Sequence, residues 1–348
     1  MPLCLRVSGL ILAYGTILEA YGMSNRIPSK TARAIIIGGA GFIASHLADE
    51  LVENDYDLSL FHLPSQSVRN ISHLGGKTVN FHGDFTRTED IRKVLKNIDY
   101  VFHLVTTTLP GTSNLDPLFD VESNLLGTLG LLNECVNAGV KKVVFVSSGG
   151  AVYGKVAQLP IPEAHPLNPT SSYGICKVAI EKYLHLFHDL HGLNYSILRV
   201  SNPYGERHNP LRGHGIIGVW LHRLLKKKPI EIWGDGEVIR DFVYVKDVAN
   251  ALRLAAESDL DATVFNVGSG EGHSLRELAS TMGNIIGEPV TPTFLESRSF
   301  DVPANVLDIS KINNVLGWEP IIGLSDGIAR TWEWMSSEGP EFMPEAFS

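Results

Sequence analysis

The β-branched run Ala34-Ile35-Ile36-Ile37 passes without a spacer into Gly38-Gly39-Ala40-Gly41, and then into a stretch from Phe42 to Leu51 whose apolar residues recur at helical spacing. A short, uninterrupted apolar run of this kind reads as a strand buried on both faces, the habit of parallel sheets. Strand, glycine turn and helix in immediate succession aim the helix N-terminus at whatever lies beyond the strand end, which makes a phosphate site. Gly38 permits the tight turn, Gly41 lets the backbone approach a pyrophosphate, and Ala44 takes the place of a third glycine while staying small enough for close helix–strand packing. That context separates the motif from an isolated glycine pattern.

The alternation continues along the chain. Strands are expected at Asp57–Leu63, Thr78–Asp84, Tyr100–Leu104, Val143–Ser148, Tyr195–Val200 and Phe265–Gly268, and helices at Phe119–Ala138, Ser172–His191 and about Val248–Ala256. This predicts an α/β fold, a Rossmann-type doubly wound parallel sheet with a smaller C-terminal α/β substrate lobe. The chain crosses between lobes more than once: residues 31–202 plus about 238–268 form the cofactor domain, and about 203–237 plus 269–340 the substrate lobe. Residues 1–30 read as a dispensable extension, with Met23 an alternative start. Ligands of such a sheet lie at the carboxyl ends of the strands, where Gly38, Asp84, His103 and Ser148 fall. One departure stands out. The second strand ends in Phe61-His62 rather than in an acid for the ribose hydroxyls, which leaves NAD against NADP open, and Arg69 is either a 2′-phosphate partner or a surface charge. Asp84 reads two ways as well, as a partner for an adenine amino group or as a cap for the helix near Thr88.

Composition narrows the function classes. With 29 basic and 38 acidic side chains the net charge is -9, against a nucleic-acid footprint. The run Lys226-Lys227-Lys228 is better placed to end a helix. The three cysteines, Cys4, Cys135 and Cys176, are widely spaced and suit reduced thiols in a cytoplasmic protein. The apolar run Leu10–Tyr21 is interrupted by Glu19 and too short to span a bilayer, so no membrane partner is expected. His185, His188 and His191 share a helix face but lack the carboxylate or thiolate company of a metal site, so they read as a solvent-facing stripe and no metal is expected.

The chemistry centres on Pro160–Lys177. Four prolines (Pro160, Pro162, Pro166, Pro169) keep this segment from becoming helical until it has passed Pro169, and Thr170 and Ser171 then offer caps. Tyr173 and Lys177 follow four apart on one face of the new helix. A lysine beside a phenol is expected to favour the phenolate and suit proton transfer from an alcohol, although such a pair on any helix is also compatible with plain solvent exposure.

Several motifs agree in order and spacing over residues 31 to 335: Gly38-x-x-Gly41-x-x-Ala44, Gly83-Asp84, Asn124-x-x-Gly127-Thr128, Val152-Tyr153-Gly154, Tyr173-x-x-x-Lys177, Leu198-Arg199-x-x-Asn202-x-Tyr204-Gly205, Arg240-Asp241-Phe242 and Asn266-Val267-Gly268-Ser269-Gly270. On these the chain resembles the extended short-chain dehydrogenase/reductases, in particular the NAD-dependent epimerase/dehydratase group, UDP-glucose 4-epimerase-like. The resemblance implies Tyr173 as general base and acid, Lys177 as its partner at the nicotinamide ribose, and Ser148 or Ser147 as the hydroxyl completing the site. It implies cofactor contacts from Gly38, Gly41, Phe42, Ile43, Ala44, His62, Asp84, Phe85, His103, Leu104 and Asn124. On the substrate side it implies Asn202, Ile216, Glu231, Trp233, Arg240, Arg298 and Asp301, with the two arginines clamping a diphosphate. Asn305 sits where the family tunes room for a 2-acetamido group.

The family usually places Ser or Thr four residues before the tyrosine of Val-Tyr-Gly. Here that position is Gly149, so one of the two preceding serines must reach instead, or the tyrosine works with one donor fewer. The dehydratases carry acids in the next two positions, and Gly150 and Ala151 stand there instead, which favours an epimerase. The expected function is UDP-hexose 4-epimerisation through a transient 4-keto sugar with tightly held NAD. The alternatives are an NAD(P)H-dependent reductase of a nucleotide 4-keto-sugar and, from another class, a silent NAD(P)-binding sensor or scaffold, for which Tyr173→Phe would change nothing. A homodimer is expected by the same resemblance, with Leu125, Leu129, Leu132 and Val136 on one helix and Ile180, Leu184 and Phe187 on the other.

Overall fold

The computed structural model describes residues 31–297 and 302–342. The extension over residues 1–30, and with them Met23 and Cys4, lies outside the described residues, as do Arg298 and Asp301. In chain order the first half comprises β1 (Arg33–Ile37), α1 (Phe42–Glu53), β2 (Asp57–His62), β3 (Thr78–His82), α2 (Thr88–Val94), β4 (Tyr100–His103), α3 (Pro117–Asp120), α4 (Gly127–Ala138), β5 (Lys142–Ser148), α5 (Ser172–His191) and β6 (Asn194–Val200). The second half comprises β7 (Asn202–Tyr204), α6 (Ile216–Leu225), β8 (Glu231–Trp233), β9 (Ile239–Arg240), β10 (Phe242–Tyr244), α7 (Val245–Glu257), β11 (Thr263–Val267), β12 (His273–Ser274), α8 (Leu275–Ile286), β13 (Thr293–Leu295), β14 (Ala304–Asn305), α9 (Ser310–Leu316) and α10 (Leu324–Phe342).

The main sheet has seven strands in the order β11-β6-β5-β4-β1-β2-β3, and every neighbouring pair is parallel. The winding reverses between β1 and β4, so a crevice opens beyond the carboxyl ends of these two strands, where Gly38 and Leu104 begin their loops. Each face has its own core. Leu47, Ala48 and Leu51 of α1 join Val248, Leu252 and Ala255 of α7 over one face. Ile91 of α2, Leu131 and Leu132 of α4, and Ile180, Leu184 and Phe187 of α5 cover the other. Successive β5 residues alternate between these cores, Val144 to the first and Val143 and Phe145 to the second. A third cluster, with Trp220, Leu221, Tyr244, Met282 and Met335, joins α6, β10, α8 and α10. Short paired strands, β8 with β13 and β9 with β12 and β14, accompany it.

The strands differ from their expected spans by one or two residues, and two helices differ by more. The helix expected from Phe119 begins at Pro117, because Asp116 accepts a hydrogen bond from Phe119 N (3.0 Å) and proline suits the first helical position. It then widens into a π-helical stretch, Val121–Leu126, before resuming as α4. The helix expected from about Val248 starts at Val245, directly where β10 ends, with both segments buried. The proline-rich segment stays irregular up to α5, and Ser171, not Thr170, caps that helix by accepting from Gly174 N at 3.2 Å.

Candidate active site

Helix α5 brings Tyr173 and Lys177 to the edge of β5. Lys177 is buried, donates to Val146 O (2.9 Å) and lies 4.7 Å from the Phe145 ring centre and 5.6 Å from that of Tyr173. Removal from water brings its ammonium down to about 8, with Glu181 and Asp120 opposing the shift. The phenol does not follow the expectation that lysine would lower it. Burial pushes Tyr173 up to about 12, the Ser148 hydroxyl acts the other way, and the Asp120 carboxylate adds to the rise. Lysine and phenol share a face, yet the lysine is turned to a backbone carbonyl, and desolvation dominates both groups.

The two serines separate cleanly. Successive residues on a strand face opposite sides. Ser148 faces the phenol. Ser147 instead donates to Glu181 Oε1 at 2.5 Å, inside a buried network in which Arg199 pairs with Glu181 (2.6 Å) and donates to Tyr153 Oη (3.0 Å), which donates to Asn266 (2.6 Å). Ser147 is therefore tied to Glu181 of α5 and not to the Tyr173 phenol.

Gly149 has a structural reason of its own. A Cβ there would lie 2.5 Å from Leu307 Cδ1 and 3.2 Å from Arg199 O. The segment around β14 runs over this point. Leu307 N donates to Asp241 (3.2 Å), Ile161 N to Val306 O (2.8 Å) and Asn305 Nδ2 to Gly149 O (3.1 Å). Asp241, wholly buried, also accepts from Ser269 N (2.7 Å) and from the Ser201 hydroxyl (3.1 Å), tying three loops to one carboxylate.

On the other side of the crevice the glycine loop is drawn tight. Gly38 and Gly39 N–H both donate to Phe61 O (2.9 Å each), and Gly38 adopts φ +90 with the Val105 backbone 3.0 Å from where its Cβ would be. Gly41 stands at the N-cap of α1, no side chain caps that end, and its first turn carries no acid. The leading N–H groups of α1 are thus left for an anion. His103 is buried beneath, its Nε2 2.8 Å from the Thr128 hydroxyl, and burial holds the imidazole down at about 3. Asn124 takes Thr107 N on its carbonyl (2.9 Å) and donates to Thr108 and Asp120, so it shapes the loop after β4.

Residues 34–268 match the NAD dependent epimerase/dehydratase family, well over half of the chain. The chain belongs to that family. It is 34% identical over 313 residues to the UDP-glucose 4-epimerase of Mycolicibacterium smegmatis, covering 88% of this chain and 99% of that one. Among solved structures it resembles the UDP-glucose 4-epimerase of Thermotoga maritima with UDP-glucose (36% identity, TM-score 0.83, 87% of this chain and 98% of that one). It also resembles that of Thermus thermophilus in complex with NAD (33% identity, TM-score 0.80, 88% and 99%).

The residues present fit the cofactor of an NAD-dependent epimerase/dehydratase. The open α1 N-terminus and glycine cradle suit a pyrophosphate, with Phe42 and Ile43 opening the helix and Ala44 packed behind it. His62 stands where the sequence pattern calls for an acid. It is buried, its Nδ1 lies 3.1 Å from Leu63 O, and its Nε2 has no partner. Asp84 does not cap α2, whose N-cap is Arg87 without a side-chain bond; its Oδ1 instead accepts from Thr86 N (2.9 Å) and the Thr86 hydroxyl (2.8 Å), closing the turn before that helix. Phe85 is buried against Gly127 and His103, and Leu104 N donates to Ile37 O (3.0 Å).

Of the residues expected to hold substrate, Asn202 Nδ2 donates to Asp241 O (2.8 Å), and Arg240 donates to Ile239 O and Val302 O (2.9 and 2.8 Å). Trp233 leaves 40% of its surface open, whereas Glu231 is held by Arg223 at 2.7 Å and Ile216 packs into the third core. The histidine face of α5 is not a simple solvated stripe, because His185 and His188 pack against the Tyr195 ring. Among the described residues no group of three metal-ligating side chains converges. No described helix is long and apolar enough to cross a membrane. Two acids with a part in the site, Asp120 and Glu181, escaped the sequence reading. The only hint was their spacing, each four residues from a motif residue, Asn124 and Lys177.

Proposed function

We propose that the chain is a UDP-hexose 4-epimerase. The observation that carries this reading is the Ser148–Tyr173–Lys177 grouping at the crevice edge, opposite the glycine cradle. Bound NAD supplies a hydride acceptor that later returns the same hydride. Tyr173 takes the proton of the sugar C4 hydroxyl as its C4–H bond breaks, and gives it back to the 4-keto oxygen once the ring has presented its other face. Net oxidation is zero. Ser148 hydrogen-bonds the reacting oxygen, and Lys177 holds positive charge beside the phenolate. Asn202, Arg240, Arg298 and Asp301 receive the diphosphate and sugar, and Trp233 offers a ring face to the base. His62, Asp84, Phe85 and Leu104 surround the adenosine half, and residues 31–202 with 238–268 form the cofactor domain. Incubation with UDP-glucose or UDP-N-acetylglucosamine, followed by NMR, should show the 4-epimer. NAD-loaded protein that converts no UDP-sugar would sink the assignment.

His62 in place of the ribose acid favours one second reading, an NADPH-dependent reduction of a nucleotide 4-keto-sugar. Stoichiometric NADPH consumption would select it. A cytoplasmic homodimer goes with the first reading. Its supports are the apolar side chains exposed on adjoining helices, Leu118, Phe119 and Leu126 on one and Ile175, Leu186 and Leu190 on α5. Of the stripe first expected to pair, Leu132, Ile180, Leu184 and Phe187 are buried in the chain's own core, whereas Leu125, Leu129 and Val136 pack against it only partly buried. Gel filtration at monomer size would exclude the dimer.

A further inference from the structure

We propose that Asp120 is a positioning residue for the Tyr173–Lys177 pair: a buried carboxylate, bonded to the first residue of the catalytic helix, that sets the pH range in which the pair works. The proposal rests on the reading of Tyr173 and Lys177 as acid–base centre and goes beyond the motifs that support it.

Asp120 is wholly buried at the junction of α3 and the π-helical stretch. Its Oδ1 accepts from the Thr108 hydroxyl (2.6 Å) and from Asn124 Nδ2 (2.7 Å), and its Oδ2 from the Ser172 hydroxyl (2.6 Å). These donors are all neutral. They satisfy the lone pairs without cancelling the charge, so the field of the carboxylate persists in a poorly screened interior. The neighbouring loop completes the attachment. Ser113 Oγ accepts from Tyr173 N (3.1 Å) and Asn114 Oδ1 from Ser172 N (2.8 Å), so the start of α5 is pinned through both backbone and side chain.

Asp120 shares a cavity of about 10 Å³ with Tyr173, Cys176, Lys177, Asn124 and Thr128. The groups facing the pair can be taken element by element. From α5 itself come Cys176, whose thiol is held up at about 12, and Glu181, already matched by Arg199 at 2.6 Å. From β5 comes Ser148, which is neutral, and from β4 His103, kept neutral by burial. Among the described residues no cation hydrogen-bonds Asp120, and the ammonium that shares its cavity is that of Lys177 itself. A negative charge here disfavours the phenolate and favours the ammonium, so it raises the proton affinity of both groups, which is the direction both show toward it.

The test is the pH profile of kcat/KM for UDP-glucose epimerisation by the NAD-loaded protein. Asp120→Asn should move both limbs toward lower pH, by about one unit for loss of a charge at this range. Asp120→Glu, which keeps the charge but disturbs the hydrogen bonds, should lower the rate and leave the limbs in place. If Asp120→Asn does not fold, Asp120→Ser, smaller and still able to pair with Ser172, carries the same predicted shift. A rate loss with unmoved limbs in the Asn or Ser variant, or an equal shift in the Glu variant, would overturn the proposal. Tyr173→Phe separates the two levels. If it stays active, the acid–base reading fails; if it is inactive while the uncharged Asp120 variants keep the wild-type limbs, only the role of Asp120 fails.

Discussion

Restoring a hydroxyl at position 149 should harm this protein. By the family's usual pattern Gly149→Ser looks like a repair, because it returns a side chain to the position that commonly carries the reacting-site hydroxyl. The packing argues the reverse. A Cβ at 149 would approach Leu307 Cδ1 to 2.5 Å and Cδ2 to 3.1 Å, against an optimum of about 3.5–4.0 Å between carbons. The other neighbour, Arg199 O at 3.2 Å, is backbone of β6, a strand interior to the main sheet, and cannot give way. Leu307 must therefore move by about an ångström, and overpacking a filled core costs about 1–3 kcal/mol. Leu307 is itself wholly buried with Val152, Tyr153 and Ile161, and its N–H is one of the donors to Asp241, so its displacement loosens the segment that closes over the site. Urea unfolding followed by tryptophan fluorescence measures the loss, and NMR-detected epimerisation should show a rate no higher than wild type, since Ser148 already meets the phenol. Leu307→Ala alone should cost about 2–5 kcal/mol through its cavity. Combined with Gly149→Ser, the two losses should fall short of additivity by about 1–3 kcal/mol, because the methyl groups that clash are gone. A Gly149→Ser protein as stable as wild type and faster would refute the packing argument.

The serine pair gives a sharper contrast. Ser148→Ala should lose about 10²–10³ in kcat with little change in stability. Ser147→Ala should instead cost about 1–3 kcal/mol in unfolding free energy, because it removes a donor from buried Glu181, with kcat much less affected. Arg199→Met should destabilise by about 3–5 kcal/mol by stranding Glu181 in the core, and unfolding curves check this. His46 and His208 are held at about 4 and His103 at about 3, below their ordinary 6.5. The unfolded chain therefore takes up their protons first, and stability present above pH 6.5 is lost as pH falls through the range down to about 3. His103→Gln should flatten that fall in urea titrations at pH 7.5 and 5.5, and an unchanged pH slope would argue against a buried neutral imidazole.

Local pattern determined much of this protein. A β-branched strand meeting Gly38 and Gly41 can do little but form the first turn of a parallel sheet, because strand burial, turn geometry and helix periodicity are all properties of neighbouring residues. The proline-rich segment, the cap and the Tyr173/Lys177 pair were legible for the same reason, since a helix puts residues four apart on one face whatever surrounds it. Opposite orientations for Ser147 and Ser148 also follow from strand alternation, but not which of them meets the phenol; that depended on where α5 lands. Gly149 is the clearest case of what tertiary structure alone decided. Along the chain it looked like a lost donor, and in space it is the gap into which Leu307, more than 150 residues later, is packed. The phenol pKa went the same way, because desolvation and the charge of Asp120 come from elements that fold in from elsewhere, and no local spacing of tyrosine and lysine can encode them.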